Sequence, residues 1–228
     1  MIAKGNFMLV WVIIPAHNEA ERIGRVIRGL FEHGWKNVVV VDDGSSDNTA
    51  EVARAEGVNL VRHEINRGQG AALQTGNEYA WAQSAEIIVH FDGDDQFDAG
   101  DIKGAVELLQ NNSLDVVLGS KILDNRSLIP GLKKYFIIPI GRVVNFLMTG
   151  VWLTDVHNGF RVLTPLATEK IVITQDGMAH NSDILRQIKK LKLPFAEYPV
   201  KVVYHEFGQG TGGGVKIIFD WLISLFVK

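Results

Sequence analysis

The sequence contains no cysteine, which excludes disulfide bonds and zinc sites built from thiolates. It also lacks a Gly-x-Gly-x-x-Gly fingerprint after its first apolar run, and a Gly-x4-Gly-Lys-Ser/Thr loop anywhere. A Rossmann dehydrogenase and a P-loop nucleotidase are therefore not expected. The formal net charge of −3 leaves no basic excess, so we expect no nucleic-acid partner.

Long apolar runs are missing as well. No segment reaches the roughly 18 uninterrupted apolar residues of a membrane-spanning helix. The first residues show no charged region followed by an apolar stretch and a small-residue cleavage site, so we expect no signal peptide. With 46% hydrophobic residues the chain can bury a substantial core. These features predict a cytoplasmic protein, one that can still contact the cytoplasmic face of a membrane.

Strand-like and helix-like patterns alternate over the first 120 residues. The predicted strands cover residues 8–14, 37–41, 58–61, 86–91 and 115–118. The predicted helices cover residues 19–33, 47–56, 69–82 and 98–110. Continuous Val and Ile runs between amphipathic helices indicate strands buried on both faces, and hence an α/β fold with a mainly parallel sheet. The second half is less regular, with predicted strands at 159–163 and 196–204 flanking a helix at 181–191.

Two acidic clusters follow predicted strands. Asp42 and Asp43 come after one, and the run 92–96, Asp-Gly-Asp-Asp-Gln, comes after another. Loops at the carboxyl ends of parallel strands line the ligand crevice of such a sheet. A solvated turn is the alternative, but clustered carboxylates repel each other unless a cation compensates. Mg²⁺ or Mn²⁺ would do so while binding substrate phosphates, which predicts an enzyme for a nucleotide-linked substrate.

Two further loops have structural alternatives. Residues 15–19 could end a strand and cap a helix. Residues 66–72 open a helix with glycines and small residues, which favours an anion at the helix N-terminus or close helix packing.

Taken together, these loops resemble the GT-A glycosyltransferases of family 2, in the dolichol-phosphate-mannose synthase-like branch. The matching stretches are residues 14–19, 41–47, 66–70, 92–96, 119–121 and 155–161, in a consistent order. The resemblance implies one GT-A domain over residues 1–228, with a mostly parallel twisted sheet flanked by helices. It further implies a nucleotide-sugar half at about 8–120, an acceptor half at about 121–214 and an apolar C-terminal helix at 215–228.

The resemblance also implies roles for individual residues. The nucleotide-sugar donor, UDP- or GDP-linked, is expected on Pro15, Ala16, Asn18, Glu19, Asp43, Gly70, Asp92 and Gly93. The Mg²⁺ or Mn²⁺ is expected on Asp92, Asp94 and Gln96, and His205 is either a further ligand or a surface histidine. Catalytic roles are expected for Lys121, Arg161, Asp155 and Asp183.

Within that set, Lys121 and Arg161 would lie near phosphate. Asp155 and Asp183 are candidate general bases or helix caps, and a phosphate acceptor would need no base because it is already ionised.

The implied reaction is inverting transfer of a sugar to a polyprenyl phosphate, with a saccharide hydroxyl as the alternative acceptor. A sugar-phosphate nucleotidyltransferase and a non-catalytic nucleotide-sugar-binding scaffold are the readings from other classes. A basic stretch leads into the apolar segment 135–153, which suits a lipid phosphate or anionic headgroups, or else a solvated loop and a core helix. The apolar segment 215–228 is expected in a membrane interface or against another subunit of a homo-oligomer.

Overall fold

Seven strands form one sheet in a computed structural model that describes residues 8–124, 126–127, 138–156, 158–177 and 179–203. The strands are β1 (Val10–Ala16), β2 (Val38–Asp42), β3 (Asn59–Arg62), β4 (Ile87–His90), β5 (Val116–Ser120), β6 (Arg161–Leu163) and β7 (Phe195–Pro199). The helices are α1 (Ile23–Glu32), α2 (Thr49–Ala55), α3 (Gln69–Ala82), α4 (Asp101–Asn111), α5 (Ile138–Thr149), α6 (Pro165–Lys170) and α7 (His180–Leu191).

The strand order is β3-β2-β1-β4-β6-β5-β7, and the pairing is mostly parallel. β1 pairs in parallel with β2 on one side and with β4 on the other. β6 runs antiparallel to both of its neighbours, β4 and β5. The mainly parallel α/β sheet predicted from the sequence is therefore confirmed, with one reversed strand inside it.

Two helical layers cover the sheet because successive strand residues point to opposite faces. Val12 and Ile14 of β1 pack in a core with α1, α2 and α4, whereas Trp11 and Ile13 pack in a second core with α3, α6 and α7. Burial on both faces explains why the strands consist of continuous Val and Ile runs. None of the helices in the described ranges is long and apolar enough to cross a membrane.

Some predicted boundaries differ from the observed ones. α1 begins at Ile23 rather than at residue 19, because residues 19–22 form a turn in which Arg22 N donates to Glu19 O. The predicted strand 196–204 stops as a ladder at Pro199, and the chain pairs again only at Val202, opposite Phe97. The short helix α6 was not predicted; Thr164 caps it by accepting a hydrogen bond from Ala167 N. The predicted helix 215–228 lies outside the described residues.

The order of strands determines where ligands can bind. Connections from β1 lead outward to β2 and β3, whereas β4 lies on the other side of β1, so the order reverses between β1 and β4. In open α/β sheets the ligand crevice forms at such a reversal, at the carboxyl ends of the strands. The 15–19 loop follows β1, and the acidic run 92–96 follows β4.

Candidate active site

The loops after β1 and β2 are joined to each other by hydrogen bonds. Asn18 has a positive φ of 57°, and its Oδ1 accepts a hydrogen bond of 2.9 Å from Ser46 N. Its own N–H donates to Ser45 Oγ at 2.9 Å, and Glu19 N donates to Thr49 Oγ1 at 2.8 Å. Asn18 thus fixes the conformation of the 15–19 loop, and the donor contact expected of it stays a prediction.

Asp43 organises the third loop. Its carboxylate accepts hydrogen bonds from Arg67 N at 2.9 Å and from Gly68 N at 2.6 Å. The Nδ1 atom of His63 lies 2.7 Å from the same carboxylate, which is almost completely buried. The carboxylate predicted to hold the donor therefore holds the loop at residues 66–68.

The glycines of that loop permit a close backbone approach. Gly68 has φ +106°, a conformation that other residues rarely adopt, and Gly70 N donates to Asp176 O at 2.7 Å. A Cβ atom at Gly70 would collide with Gln175 O. Ala71 N also points to Asp176 O, so the first amides of α3 are directed at protein backbone, and close packing accounts for the small residues here.

The carboxyl end of β4 carries the Asp92-x-Asp94 pair. Burial first, and then the charge of Asp94, raise the pKa of Asp92 to about 7, although Arg161 and a 2.9 Å hydrogen bond from Gln69 act in the opposite direction. Burial also raises the pKa of Asp94, whose Oδ1 accepts a 3.2 Å hydrogen bond from Gln96 N. Glu19 lies close enough to Asp94 to be influenced by its charge, and burial raises the pKa of Glu19 too. The site thus gathers three poorly solvated carboxyl groups.

Arg161 is the first residue of β6, and its charge acts on Asp92. It is buried, and burial lowers its pKa to about 10 even though Asp92 favours its charged form. Its guanidinium donates to the carbonyls of Gly159 at 3.2 Å and Asn158 at 3.3 Å, and to the side chain of Asn181. Arg161 was predicted near phosphate; in the structure it braces the 158–159 turn and lies within electrostatic range of Asp92.

Lys121 follows the last residue of β5, and it forms a bidentate pair with Asp155. Lys121 Nζ lies 2.9 Å from each carboxylate oxygen of Asp155, and Lys121 N donates to the same group at 3.2 Å. Asn158 Nδ2 adds a further hydrogen bond of 3.1 Å to Asp155. Asp155 is buried, and each of its two carboxylate oxygens accepts a hydrogen bond from one or more of these donors.

The remaining predicted residues are distributed as follows. Asp183 lies in the first turn of α7 and accepts hydrogen bonds from Thr174 N and Oγ1, at 3.0 and 3.1 Å. Gln96 joins the acidic loop to the end of the described chain, because its carbonyl accepts from Val203 N at 2.9 Å. His205 lies outside the described residues. Pro15 and Ala16 end β1, and Gly93 packs against Pro15 O.

The carboxyl pair suits a divalent cation. Mg²⁺ and Mn²⁺ bind through one or two carboxylates plus substrate phosphates. Burial raises the pKa of Asp92 and Asp94, and a cation would favour the ionised form of both carboxyl groups. Within the described ranges, no group of three or more His, Asp or Glu side chains is placed to hold a metal by itself. Asp92 and Asp94 would therefore hold the ion together with oxygens from a bound diphosphate.

Residues 11–163 match the family model described as glycosyl transferase family 2. The chain belongs to this family and is a glycosyltransferase. Among solved structures, it is similar to glucosyl-3-phosphoglycerate synthase from Mycobacterium tuberculosis in complex with Mn²⁺, UDP and glucosyl-3-phosphoglycerate, with a TM-score of 0.67 and 19% identity. That match covers 91% of this chain and 75% of the synthase, and it confirms the GT-A fold.

Curated relatives cover almost the whole chain. An uncharacterized protein of Methanocaldococcus jannaschii, MJ1222, is 34% identical over 96% of this chain and 91% of its own. The UDP-N-acetylglucosamine–dolichyl-phosphate N-acetylglucosaminyltransferase of Methanococcus voltae is 31% identical over 96% of this chain and 95% of its own. A dolichyl-phosphate hexose transferase of Haloferax volcanii is 26% identical, with 91% of each chain covered. The predicted branch of the family is confirmed by these relatives.

Several residues that support the site were not predicted. Glu197 of β7 accepts hydrogen bonds from Thr154 N and Oγ1, at 2.8 and 2.7 Å, and so positions the residue before Asp155. His90 ends β4 with Nε2 2.8 Å from Asn77 Oδ1, while burial lowers its pKa well below the usual range. A polar residue in an otherwise apolar strand was the only sequence signal for either of them.

Proposed function

We propose that this family 2 glycosyltransferase moves a sugar from a UDP- or GDP-linked donor to a polyprenyl phosphate, with inversion at the anomeric carbon. The observation that carries the proposal is the bidentate pairing of Asp155 with Lys121. Both oxygens of this carboxylate accept hydrogen bonds from protein donors, so neither is left free to take a proton from an acceptor hydroxyl. A phosphate acceptor needs no base, because its attacking oxygen is ionised at neutral pH.

The donor would occupy the crevice between the loops after β1 and β4. Asn18 holds the loop after β1 against the loop after β2, and Asp43 holds the loop at residues 66–68. At the carboxyl end of β4, Asp92 lies against Gln69 and Gly159. Asp92 and Asp94 would hold Mg²⁺ or Mn²⁺ with the diphosphate. The ion would supply positive charge that neutralises the departing nucleoside diphosphate.

The acceptor phosphate would meet Lys121. Its ammonium group has three donors, and Asp155 keeps it pointing in one direction while leaving part of it available to a second anion. In the transfer, a phosphate oxygen of the acceptor forms a bond to the anomeric carbon. The bond between that carbon and the diphosphate oxygen breaks, and its electron pair leaves with the nucleoside diphosphate. One displacement of this kind inverts the anomeric centre.

Relatives named as dolichyl-phosphate transferases support the acceptor class, since the Methanococcus voltae enzyme aligns over 96% of this chain. An acceptor of this kind is embedded in a membrane, so the enzyme would work at a membrane surface. The metal and the donor class are supported by the fold neighbour that holds Mn²⁺ and UDP.

A transfer assay tests the proposal. Radiolabelled UDP-N-acetylglucosamine, UDP-glucose and GDP-mannose are each incubated with a polyprenyl phosphate and Mn²⁺, and label in the organic extract is counted. We expect transfer from one donor, lost with chelator and reduced at least roughly a hundredfold in Asp94→Asn. A parallel set of mixtures contains an oligosaccharide in place of the lipid phosphate. Label transferred to the oligosaccharide and none to the lipid would show that the acceptor is a saccharide. A donor that stays intact in every mixture would contradict the proposed catalysis.

A further inference from the structure

Helix α5 is oriented with its polar residues inward. Asn145 and Thr149 are its buried residues, although they are among the few polar ones in the helix. Leu147 is 77% exposed and Ile140 is 63% exposed, while Val143 lies between them on the same side. Apolar residues at positions 140, 143 and 147 form one helical stripe, so this amphipathic helix turns its apolar stripe away from the core.

Hydrogen bonds fix this orientation. Asn145 Nδ2 donates to Val151 O at 3.0 Å, and Thr149 Oγ1 accepts from Val151 N at 3.2 Å. Arg142 Nε donates to Leu153 O at 2.9 Å. All three bonds join the inner side of α5 to the chain that returns beneath it, residues 151–153. Rotating the helix to bury Leu147 would break them, so the core helix considered from the sequence is wrong here.

Aromatic residues widen the apolar stripe. The rings of Phe146 and Trp152 are 5.6 Å apart in an edge-to-face arrangement, and the guanidinium of Arg142 lies 5.0 Å from the centre of the Trp152 ring. Trp152 is 54% exposed. We use the name α5 face for the exposed apolar residues Ile140, Val143, Phe146, Leu147, Met148 and Trp152. Exposed apolar side chains gathered on one face, rather than scattered singly, mark an interaction site.

The surroundings of the α5 face are basic. Residues 138–154 contain Arg142 and no acidic residue. Helix α7 packs against α5, and the exposed residues Lys189, Lys190 and Lys192 lie at its end and directly after it. Lys189 Nζ donates to Gly150 O at 2.6 Å, which brings this end of α7 to the end of α5. The end of α7 that lies beside α5 therefore carries positive charge, on a chain whose net charge is −3.

We propose that the α5 face lies in the interfacial layer of an anionic lipid bilayer, with the lysines at the end of α7 on the headgroups. Apolar side chains would enter the acyl boundary, Trp152 would occupy the headgroup level, and the cations would attract anionic lipids. A second copy fits less well, because a twofold interface would place the same cationic end of α7 against itself. Trp152 is three residues from Asp155, so docking would bring Lys121 to the membrane surface.

The docking inference deepens the proposed function, since it places the acceptor-binding cation at the membrane that holds the acceptor. It can fail separately, because lipid binding is measured without donor or acceptor. The absence of cysteine makes a direct measurement possible: Leu147→Cys provides a single attachment point for an environment-sensitive fluorophore on the full chain. Glu107→Cys is the matched control, because it is exposed on α4, which packs on the opposite face of the sheet.

Vesicles of phosphatidylcholine with and without phosphatidylglycerol are added to each labelled protein. We expect a blue shift at position 147 with anionic vesicles, quenching by lipids brominated in the acyl chains, and loss of both in high salt. Position 107 should not respond. Without labels, Leu147→Glu should weaken binding to the anionic vesicles roughly tenfold or more, whereas Trp81→Glu on α3 should not.

Other outcomes would overturn the proposal. A blue shift that is present before vesicles are added, at every protein concentration, would mean that another part of the same chain covers the face. A shift that grows with protein concentration in the absence of lipid would identify a second copy as the partner. A probe at position 147 that stays exposed to water beside anionic vesicles would remove the membrane from consideration.

Discussion

The ammonium nitrogen of Lys121 lies 2.9 Å from both carboxylate oxygens of Asp155, so the two candidate catalytic residues neutralise each other. Asp155 is buried and also accepts a hydrogen bond from Asn158, and we propose that it positions Lys121 rather than acting as a base. This relationship separates two mechanisms that the sequence left open.

Asp155→Asn is therefore expected to act through Lys121. The amide cannot hold the ammonium group as an ion pair, so we expect the KM for the lipid phosphate to rise by roughly tenfold with a smaller change in kcat. Lys121→Ala should raise the same KM at least as much, and Lys121→Arg should restore part of it. If Asp155 were the base, kcat would fall by several orders of magnitude and its dependence on pH would change instead.

The stability of the metal-free protein should depend on the ionisation of Asp92. Its folded pKa, about 7, lies above the ordinary value of 3.8, so its contribution to stability is fully present below pH 3.8 and is lost as the pH rises through 7. Asp92→Asn should consequently melt at a higher temperature than the parent chain above pH 7, and the advantage should shrink as the pH falls toward 4.

The comparison is made as a difference between the two proteins, in the presence of a chelator. His180 acts in the opposite sense, because burial, followed by the charge of Arg161, lowers its pKa to about 4 and stability is lost as the pH falls from 6.5 toward that value. That contribution is common to both proteins and cancels. If the difference in melting temperature between the two proteins stayed constant from pH 4.5 to 8, Asp92 would be ionised over that whole range.

Arg126 should matter for stability despite lying in an irregular segment. It donates to buried Asp101 at 2.7 Å, to Asp124 at 2.6 Å and to Pro199 O at 2.5 Å, so it ties this segment to α4 and to the end of β7. We expect Arg126→Ala to lower the free energy of unfolding by about 1–3 kcal/mol, because Asp101 loses its charged partner. Urea denaturation measures the change.

Arg28→Ala is the control for that experiment, because it removes an arginine whose ion pair with Glu56 is exposed. Its cost should stay below about 1 kcal/mol. Equal losses in the two variants would contradict the structural role of Arg126.

Gly159 leaves room for the carboxylate of Asp92. A Cβ atom at this position would collide with that carboxylate, so Gly159→Ala should displace Asp92. We expect transfer to fall by roughly a hundredfold, as a displacement of about 1 Å at a reacting site can cause. Gly29→Ala on α1 adds a Cβ with no atom within 4 Å and should leave transfer unchanged. Full activity in both variants would exclude a close role for Asp92.

The predictable part of this protein was the part encoded locally. Asp92 and Asp94 follow a buried strand directly, so the sequence alone placed them at the carboxyl edge of the sheet. The helix at residues 69–82 was predicted with its observed ends, because its glycine boundary and small residues lie within one segment.

What could not be predicted depends on contacts between distant residues. The pairing of Lys121 with Asp155 joins residues 34 positions apart, and Glu197 reaches Thr154 across 43. The apolar character of α5 was visible, but the choice of its inward face depends on bonds to residues 151–153. Periodicity reports which residues share a face and not which face the rest of the chain covers.

The reversed direction of β6 has a consequence for how such enzymes diverge. β5 ends at Ser120 and β6 begins at Arg161, and the two are antiparallel neighbours, with Leu118 opposite Arg161. Everything from residue 121 to 160, including α5 and Lys121, is therefore the oversized loop of a β-hairpin. It leaves the sheet and returns to it at nearly the same point. A segment of this kind can be lengthened, shortened or exchanged while β4, which precedes Asp92, and β6, which begins with Arg161, keep their register. If residues 121–160 determine the acceptor, as we propose, then replacing them with the corresponding segment of a relative should change the acceptor while the donor-binding part of the sheet is kept.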